Sequence, residues 1–309
     1  MTRRMSIASA LALCGATLVA ELPASGWLQD PAPVFRAGAD AVTVEASVRR
    51  ERRPVMGLKV ADFELLDNGV PQEITDISYE KLPIDVTVLL DISASVTGPV
   101  LDELRRALRQ LRADLGTADR MKLIAFNMRI RRLVDFGEPA SVTDSALAAL
   151  GGSGSSAIFD SLAVALGSPF PTGRRQLIVL FSDGQDSSSI IDADTLLDVA
   201  RRSSPTVAVV LASSQDRPAS LLRNASTRSA LTVGGLADQI ASETGGFVAT
   251  IAAGDNLTST FRRVLEQFRT TYVIYYTPRG VERAGAHSLD VRVKRPGAEV
   301  RARRGYVWR

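Results

Sequence analysis

The stretch Ile84-Asp85-Val86-Thr87-Val88-Leu89-Leu90-Asp91 constrains the fold more than any other. Five of the seven residues from Ile84 to Leu90 are Ile, Val or Leu, the pattern of a strand covered on both faces, as in a parallel sheet between helices. Asp91 stands where that strand ends, and Ser93 and Ser95 follow on alternate residues. Small oxygen donors in that arrangement suit a hard cation such as Mg²⁺ or Mn²⁺. The soft sulfur and imidazole ligands that zinc prefers are missing from the stretch.

The chain after Ser95 alternates helix and strand patterns. Leu101, Leu104, Leu108, Leu111 and Leu115 recur at helical spacing, and Gly116 closes the element. Met121–Phe126 and Ile130–Phe136 read as two short strands around Asn127-Met128-Arg129, a hairpin at a sheet edge. Ser141–Leu150 and Ile158–Leu166 read as helices on either side of the glycine-serine loop 151–156. Gln176–Phe181, Val207–Leu211 and Phe247–Ile251 read as strands, and Asp194–Arg202, Leu236–Thr244 and Leu257–Phe268 as helices. The alternation across Ile84–Phe268 predicts a doubly wound, mostly parallel α/β sheet.

In such a sheet ligands bind outside the carboxyl ends of the strands, where the strand order reverses. Asp91 and Asp183 both follow buried strands at that end, and Ser156 is the last hydroxyl of its loop before an apolar run. Asp91, Ser93, Ser95, Ser156 and Asp183 therefore form the candidate ligand set for the cation. Ser156 stands equally where a helix N-cap would. Asp160 and Asp186 read as supporting or surface groups, and Ser153 and Ser155 as loop solvation.

The ends of the chain read differently. Arg3 and Arg4 precede an uncharged apolar run from Met5 to Ala20, and Ala24-Ser25-Gly26 offers a small-residue exit, so residues 1–26 read as a cleaved secretory signal rather than a membrane anchor. A periplasmic or secreted location follows. The only cysteine, Cys14, lies inside this run; Leu13 before it is bulky for a lipoprotein cleavage site. Without it the mature chain has neither disulfide nor thiol chemistry. Residues 38–82 read as a β segment in which Asn68-Gly69 joins two strands as a hairpin turn, and Pro71 pushes its strand to a sheet edge. Residues 269–309 read as a second β segment, with Ser288–Lys294 alternating as a strand. The net charge of +3 is unevenly placed, because nine basic residues and three acids fall between Arg279 and Arg309. No nucleic-acid motif or interleaved aromatic pattern accompanies them, so nucleic acid is not the expected partner. The single histidine, His287, reads as an exposed loop residue.

Asp91-x-Ser93-x-Ser95 after a hydrophobic strand resembles the metal-ion-dependent adhesion site of von Willebrand factor type A domains. Ser156-Ala157-Ile158-Phe159-Asp160 resembles the segment in which the family carries a threonine ligand, here a serine. Ser182-Asp183-Gly184 resembles the segment with the second aspartate. The resemblance covers residues 83–268 and implies a mostly parallel sheet with one antiparallel edge strand, a divalent cation held by the five candidate residues, and a protein ligand offering a carboxylate to it. The stretches Gly57–Gln72, Thr271–Pro278 and Arg303–Tyr306 resemble the ends of secreted bacterial members common in Acidobacteria. The two β segments are then expected to pack together beside the α/β domain.

Three functions are consistent with the chain: a metal-dependent binding module, a scaffold with a vestigial site, and a hydrolase. One histidine and no mature cysteine leave little for a Ser-His-Asp or Cys-His mechanism. No phosphate-binding glycine loop with a following Lys-Ser or Lys-Thr occurs. The expectation is a binding module and not an enzyme.

Overall fold

The computed structural model describes residues 41–308, except 52, 80–81, 95, 97, 172, 213–226 and 252–255. The expected signal segment and Ser95 lie outside the described residues.

The chain opens with β1 (Val42–Arg50), β2 (Arg53–Pro54), β3 (Phe63–Asp67), β4 (Val70–Gln72) and β5 (Ile74–Tyr79). Asn68 and Gly69 adopt φ of 49° and 79°, the left-handed pair that a two-residue hairpin between β3 and β4 requires. β4 is an edge strand, where Pro71 removes no ladder bond.

The α/β domain follows as β6 (Ile84–Asp91), α1 (Gly98–Ala113), β7 (Arg120–Phe126), β8 (Ile130–Val134), α2 (Ala140–Ala148), α3 (Ile158–Leu166), β9 (Arg175–Ser182), α4 (Ala193–Arg202), β10 (Thr206–Leu211), α5 (Thr227–Thr244), β11 (Phe247–Thr250) and α6 (Leu257–Arg269). The sheet runs β11-β10-β9-β6-β7-β8, parallel throughout except for β8, which pairs antiparallel to β7. Every residue of β6 and β9 is buried, as expected for central strands covered on both faces. On one face Val86, Val88 and Leu90 pack with Leu104 and Leu108 of α1 and Phe261 of α6. On the other, Leu89 and Leu180 pack with Leu162 of α3 and Leu196 of α4. Helix α5 begins nine residues before the expected Leu236, at Thr227. The Gly234-Gly235 pair obscured the start, although each glycine costs a helix only about 1 kcal/mol.

After α6 the chain forms β12 (Tyr272–Tyr276), β13 (Gly285–Val293), β14 (Glu299–Ala302) and β15 (Gly305–Trp308). These complete two antiparallel sheets with the N-terminal strands, in the orders β14-β1-β12-β5 and β15-β13-β3-β4, with β2 added to β1. The two terminal segments thus fold together, around a core that includes Val44, Ala46, Leu65, Ile274, Tyr276 and Leu289. Glu45 of β1 binds Arg175 and Thr206 of the α/β domain, at 3.0 and 2.9 Å. Among the described residues no helix is long and apolar enough to cross a membrane.

His287 is not an exposed loop residue. It lies on β13 at 4% exposure, its Nδ1 is 2.8 Å from Asp67 Oδ1, and its ring stacks on Tyr306 with centroids 4.5 Å apart. Tyr276 and Tyr306 both donate to Asp67 Oδ2, at 2.9 and 2.8 Å. Burial, followed by these neighbours, raises the Tyr276 phenol far above its ordinary value. The alternation of β13 puts His287 and Leu289 on the inner face, and a partner more than two hundred residues away meets the imidazole Nδ1.

Candidate metal centre

Sheet order reverses between β6 and β9: the chain leaves β6 towards β7 and returns on the other side at β9. The carboxyl ends of these two strands form the crevice in which α/β folds bind ligands. Asp91 ends β6 and is fully buried. Its Oδ1 accepts from the Ser93 amide at 2.9 Å, and its Oδ2 accepts from the Ser156 and Ser182 hydroxyls at 2.9 and 2.6 Å. Ser93 is buried in the turn after β6, and Ser156 is buried at the entry to α3. Asp183, half-buried, follows β9, and its Oδ1 accepts from the Gln185 amide at 3.1 Å. Asp91, Ser93 and Ser156 therefore meet, and Asp183 stands at the exit of the neighbouring strand.

Loop 151–156 is fastened to the β6 loop by backbone bonds, Ser153 N to Ile92 O at 2.9 Å and Ala94 N to Gly154 O at 3.0 Å. The approach is so close that a Cβ on Gly152 would lie 2.1 Å from Val96 O and 2.9 Å from Ser93 O. Only glycine fits there. Asn127, between β7 and β8, holds the same loop through Nδ2 to Ser153 O at 2.9 Å.

Ser156 is not the N-cap of α3. That position is Ala157, which makes no side-chain capping bond. Asp186, from the loop after β9, caps the helix instead by accepting from Ile158 N at 2.7 Å, and Ser189 Oγ accepts from Phe159 N at 3.0 Å. Asp160 of α3 in turn accepts from Ile190 N and Ile191 N. Asp160 and Asp186 thus clasp the two loops together. The Ser156 amide and carbonyl bond to Ser187, at 3.0 and 2.9 Å, which leaves its hydroxyl aimed at Asp91. Ser182, which sequence marks only as the neighbour of Asp183, also reaches this carboxylate, because the parallel register that pairs Leu90 with Phe181 brings it beside Asp91.

The opposite end of β6 offers a comparison. Asp85 is equally buried, but Arg120 binds both its oxygens, at 2.9 and 2.6 Å, and Arg174 adds a third bond at 2.6 Å. Burial alone would raise its pKa; the bonds from Arg120, Arg174 and Gln176 outweigh burial and hold the carboxyl below the usual range. Asp91 has no arginine or lysine partner among the described residues, only an amide and two hydroxyls. Buried carboxylates are paired with a cation or ligate a metal. Each serine hydroxyl that donates to Asp91 keeps lone pairs for a further contact. Carboxylate and hydroxyl oxygens fit a hard divalent cation. Among the described residues no three His, Cys, Asp or Glu side chains cluster, so any cation here depends on hydroxyls as well as carboxylates.

The family model of the von Willebrand factor type A domain matches residues 85–255, more than half of the chain. The E3 ubiquitin-protein ligase WAV3 of Arabidopsis thaliana is 28% identical over 135 residues, which are 39% of this chain and only 17% of that protein. Solved structures of similar fold include an aerotolerance-related membrane protein of Bacteroides fragilis, 18% identical over 60% of this chain and 98% of that one, with a TM-score of 0.45. A von Willebrand factor type A protein of Catenulispora acidiphila is 13% identical over 89% of this chain and 75% of that one, with a TM-score of 0.47. Proximal thread matrix protein 1 of the mussel byssus, described with a zinc-occupied MIDAS motif, is 13% identical over 65% of this chain and 50% of that one, with a TM-score of 0.46. The span matched by the family model begins in β6 and runs through the strands whose order reverses at Asp91, and the chain belongs to the von Willebrand factor type A domain family.

Proposed function

We propose that the chain is a secreted or periplasmic binding module that captures an acidic group of a protein ligand through a divalent cation, Mg²⁺ or Mn²⁺. Asp91, Ser93, Ser156 and Asp183 would hold the cation, with Ser95, outside the described residues, as the fifth candidate. The observation that carries this reading is the Asp91 carboxyl group, fully buried and, among the described residues, bonded only to neutral donors. The cation would supply positive charge that neutralises Asp91 and attracts a carboxylate of the partner. The protein's own part is to fix the oxygens beforehand: the Asp160–Asp186 clasp and the Gly152 contact hold Ser156 and the β6 loop in place. Such preorganisation lowers the ordering cost of binding. Location outside the cytoplasm rests on the basic and apolar pattern of residues 1–26 and on the resemblance of both ends to secreted Acidobacteria-type members. Binding, not hydrolysis, is supported by the family and by His287, whose partners are Asp67 and Tyr306.

The test is capture from envelope proteins of the source organism. Wild-type chain with Mg²⁺ retains a set of proteins that chelator or Asp91→Ala releases. Recovery of the same proteins in chelator and with the variant would count against the cation-dependent reading and favour the scaffold.

A further inference from the structure

A second recess lies in the terminal sheets. A groove of about 530 Å³ opens between the β1–β2 hairpin and the turn that precedes β14. Val55, Leu58 and Ala298 form its floor and belong to the core of these sheets or pack against it. Met56, 50% exposed, stands in its wall. Its rim carries Arg50, Arg53 and Arg295, against a single acid, Glu51.

The charges of this rim are only partly spent internally. Arg295 pairs with Asp62 at 3.1 Å, but Arg50 and Arg53 make no ion pair among the described residues, although β1 and β2 set them directly opposite each other. Like charges at facing positions of an antiparallel pair are unfavourable. The hairpin bears more positive charge beside them: Arg49 is held below the ordinary arginine range by burial and then by the nearby Arg301 guanidinium. A second cavity, of about 450 Å³, lies near Asp119, Arg175 and Arg269. Its arginines already bind Glu45 and Asp119, so that cavity offers an anion little.

We infer that this groove is a second binding site, independent of the metal centre, for an acidic peptide segment carrying an apolar side chain. Guanidinium groups bind carboxylates in a planar, two-bond geometry, and unpaired arginines around a recess attract negative charge. An apolar floor beneath them adds burial of one side chain such as leucine. The concavity favours a peptide over a lipid surface, which would meet a flat or convex array of cations.

The test uses a fluorescein-labelled peptide alternating glutamate and leucine, with anisotropy read on the purified chain in EDTA, so that the metal centre contributes nothing. Binding is expected to weaken with salt and to fall at least about tenfold in the double variant Arg50→Glu/Arg53→Glu. Both residues are exposed, and circular dichroism and melting confirm that the variant folds. Arg129→Glu/Arg131→Glu, on the exposed β7–β8 hairpin, makes the same charge change elsewhere and should leave binding intact. A peptide alternating glutamate and serine should bind more weakly. Absence of peptide binding, equal loss in both double variants, or binding confined to phosphatidylglycerol vesicles would overturn the proposal.

Discussion

Asp85 and Asp91 close the two ends of β6, both fully buried, yet among the described residues arginine reaches only Asp85. The strand therefore holds one carboxylate that the chain pairs by itself and one whose bonds among the described residues are to neutral donors alone. Asp91→Asn should melt no lower than wild type in chelator, since it removes an uncompensated buried charge. Wild type should gain about 2.7 kcal/mol when Mg²⁺ or Mn²⁺ reaches about a hundred times its Kd, and the variant nothing. Melting curves with cation and with chelator decide it; an unmoved wild type would remove the metal from the account.

Asp85 should set part of the acid limit of the fold. Its folded pKa lies below that of the unfolded chain, so its contribution is complete above about pH 3.9 and is lost as pH falls through the lowered folded value. Urea midpoints measured down the acid range should show a flatter decline in Asp85→Asn. That variant should also be less stable at neutral pH by about 3 kcal/mol, because Arg120 and Arg174 lose their common partner.

Asp186 accepts from the first amide of α3, whereas the Ser156 hydroxyl donates to Asp91. Asp186→Ala should cost about 1 kcal/mol by uncapping α3, while the cation-induced rise in melting temperature persists. Ser156→Ala should diminish that rise, and Ser156→Thr, which keeps the hydroxyl, should preserve it. Equal losses in Ser156→Ala and Ser156→Thr would show that packing at this position, rather than the oxygen, matters.

Gly152→Ala places a methyl group against the Val96 and Ser93 carbonyls. The loop must retreat, at about 1–3 kcal/mol, and Ser156 retreats with it. Both urea stability and the cation-induced shift should fall, the second in larger proportion if loop 151–156 positions the ligands.

The parts of this fold that sequence discloses are those with local causes. Apolar runs mark β6, β9 and β10, leucine spacing marks α1, and Asn68-Gly69 marks its turn, because each pattern is set within a few residues. Asp91, Ser93, Ser156 and Asp183 can be proposed as ligands from sequence because their strands and loops can be ordered by topology. What stayed hidden depends on distant partners. Asp186 caps a helix that begins twenty-eight residues before it, and Ser182 meets Asp91 only through the strand register. His287 is buried by an aspartate on β3 and a tyrosine on β15. Arg50 and Arg53 of the β1–β2 hairpin share a groove with Arg295 only once β14 has joined β1. Composition places basic charge near the C-terminus, but of those residues only Arg295 reaches the groove, where it joins Arg50 and Arg53.

The pairing of β12 with both β1 and β5 also has a consequence for assembly. Tyr79, before the α/β domain, lies opposite Tyr272, after it, and Arg175 bonds to Pro83 O and to Phe268 O at 2.9 and 2.8 Å. The domain is thus an insert whose entry and exit are clipped together by one of its own residues. A ribosome delivers β1 long before β12, so the inner edge of β1 waits for its partner while the insert is made. Folding of the insert brings the two ends together and shortens the loop that the outer sheets must close. The frame around the insert cannot close until β12 has been made.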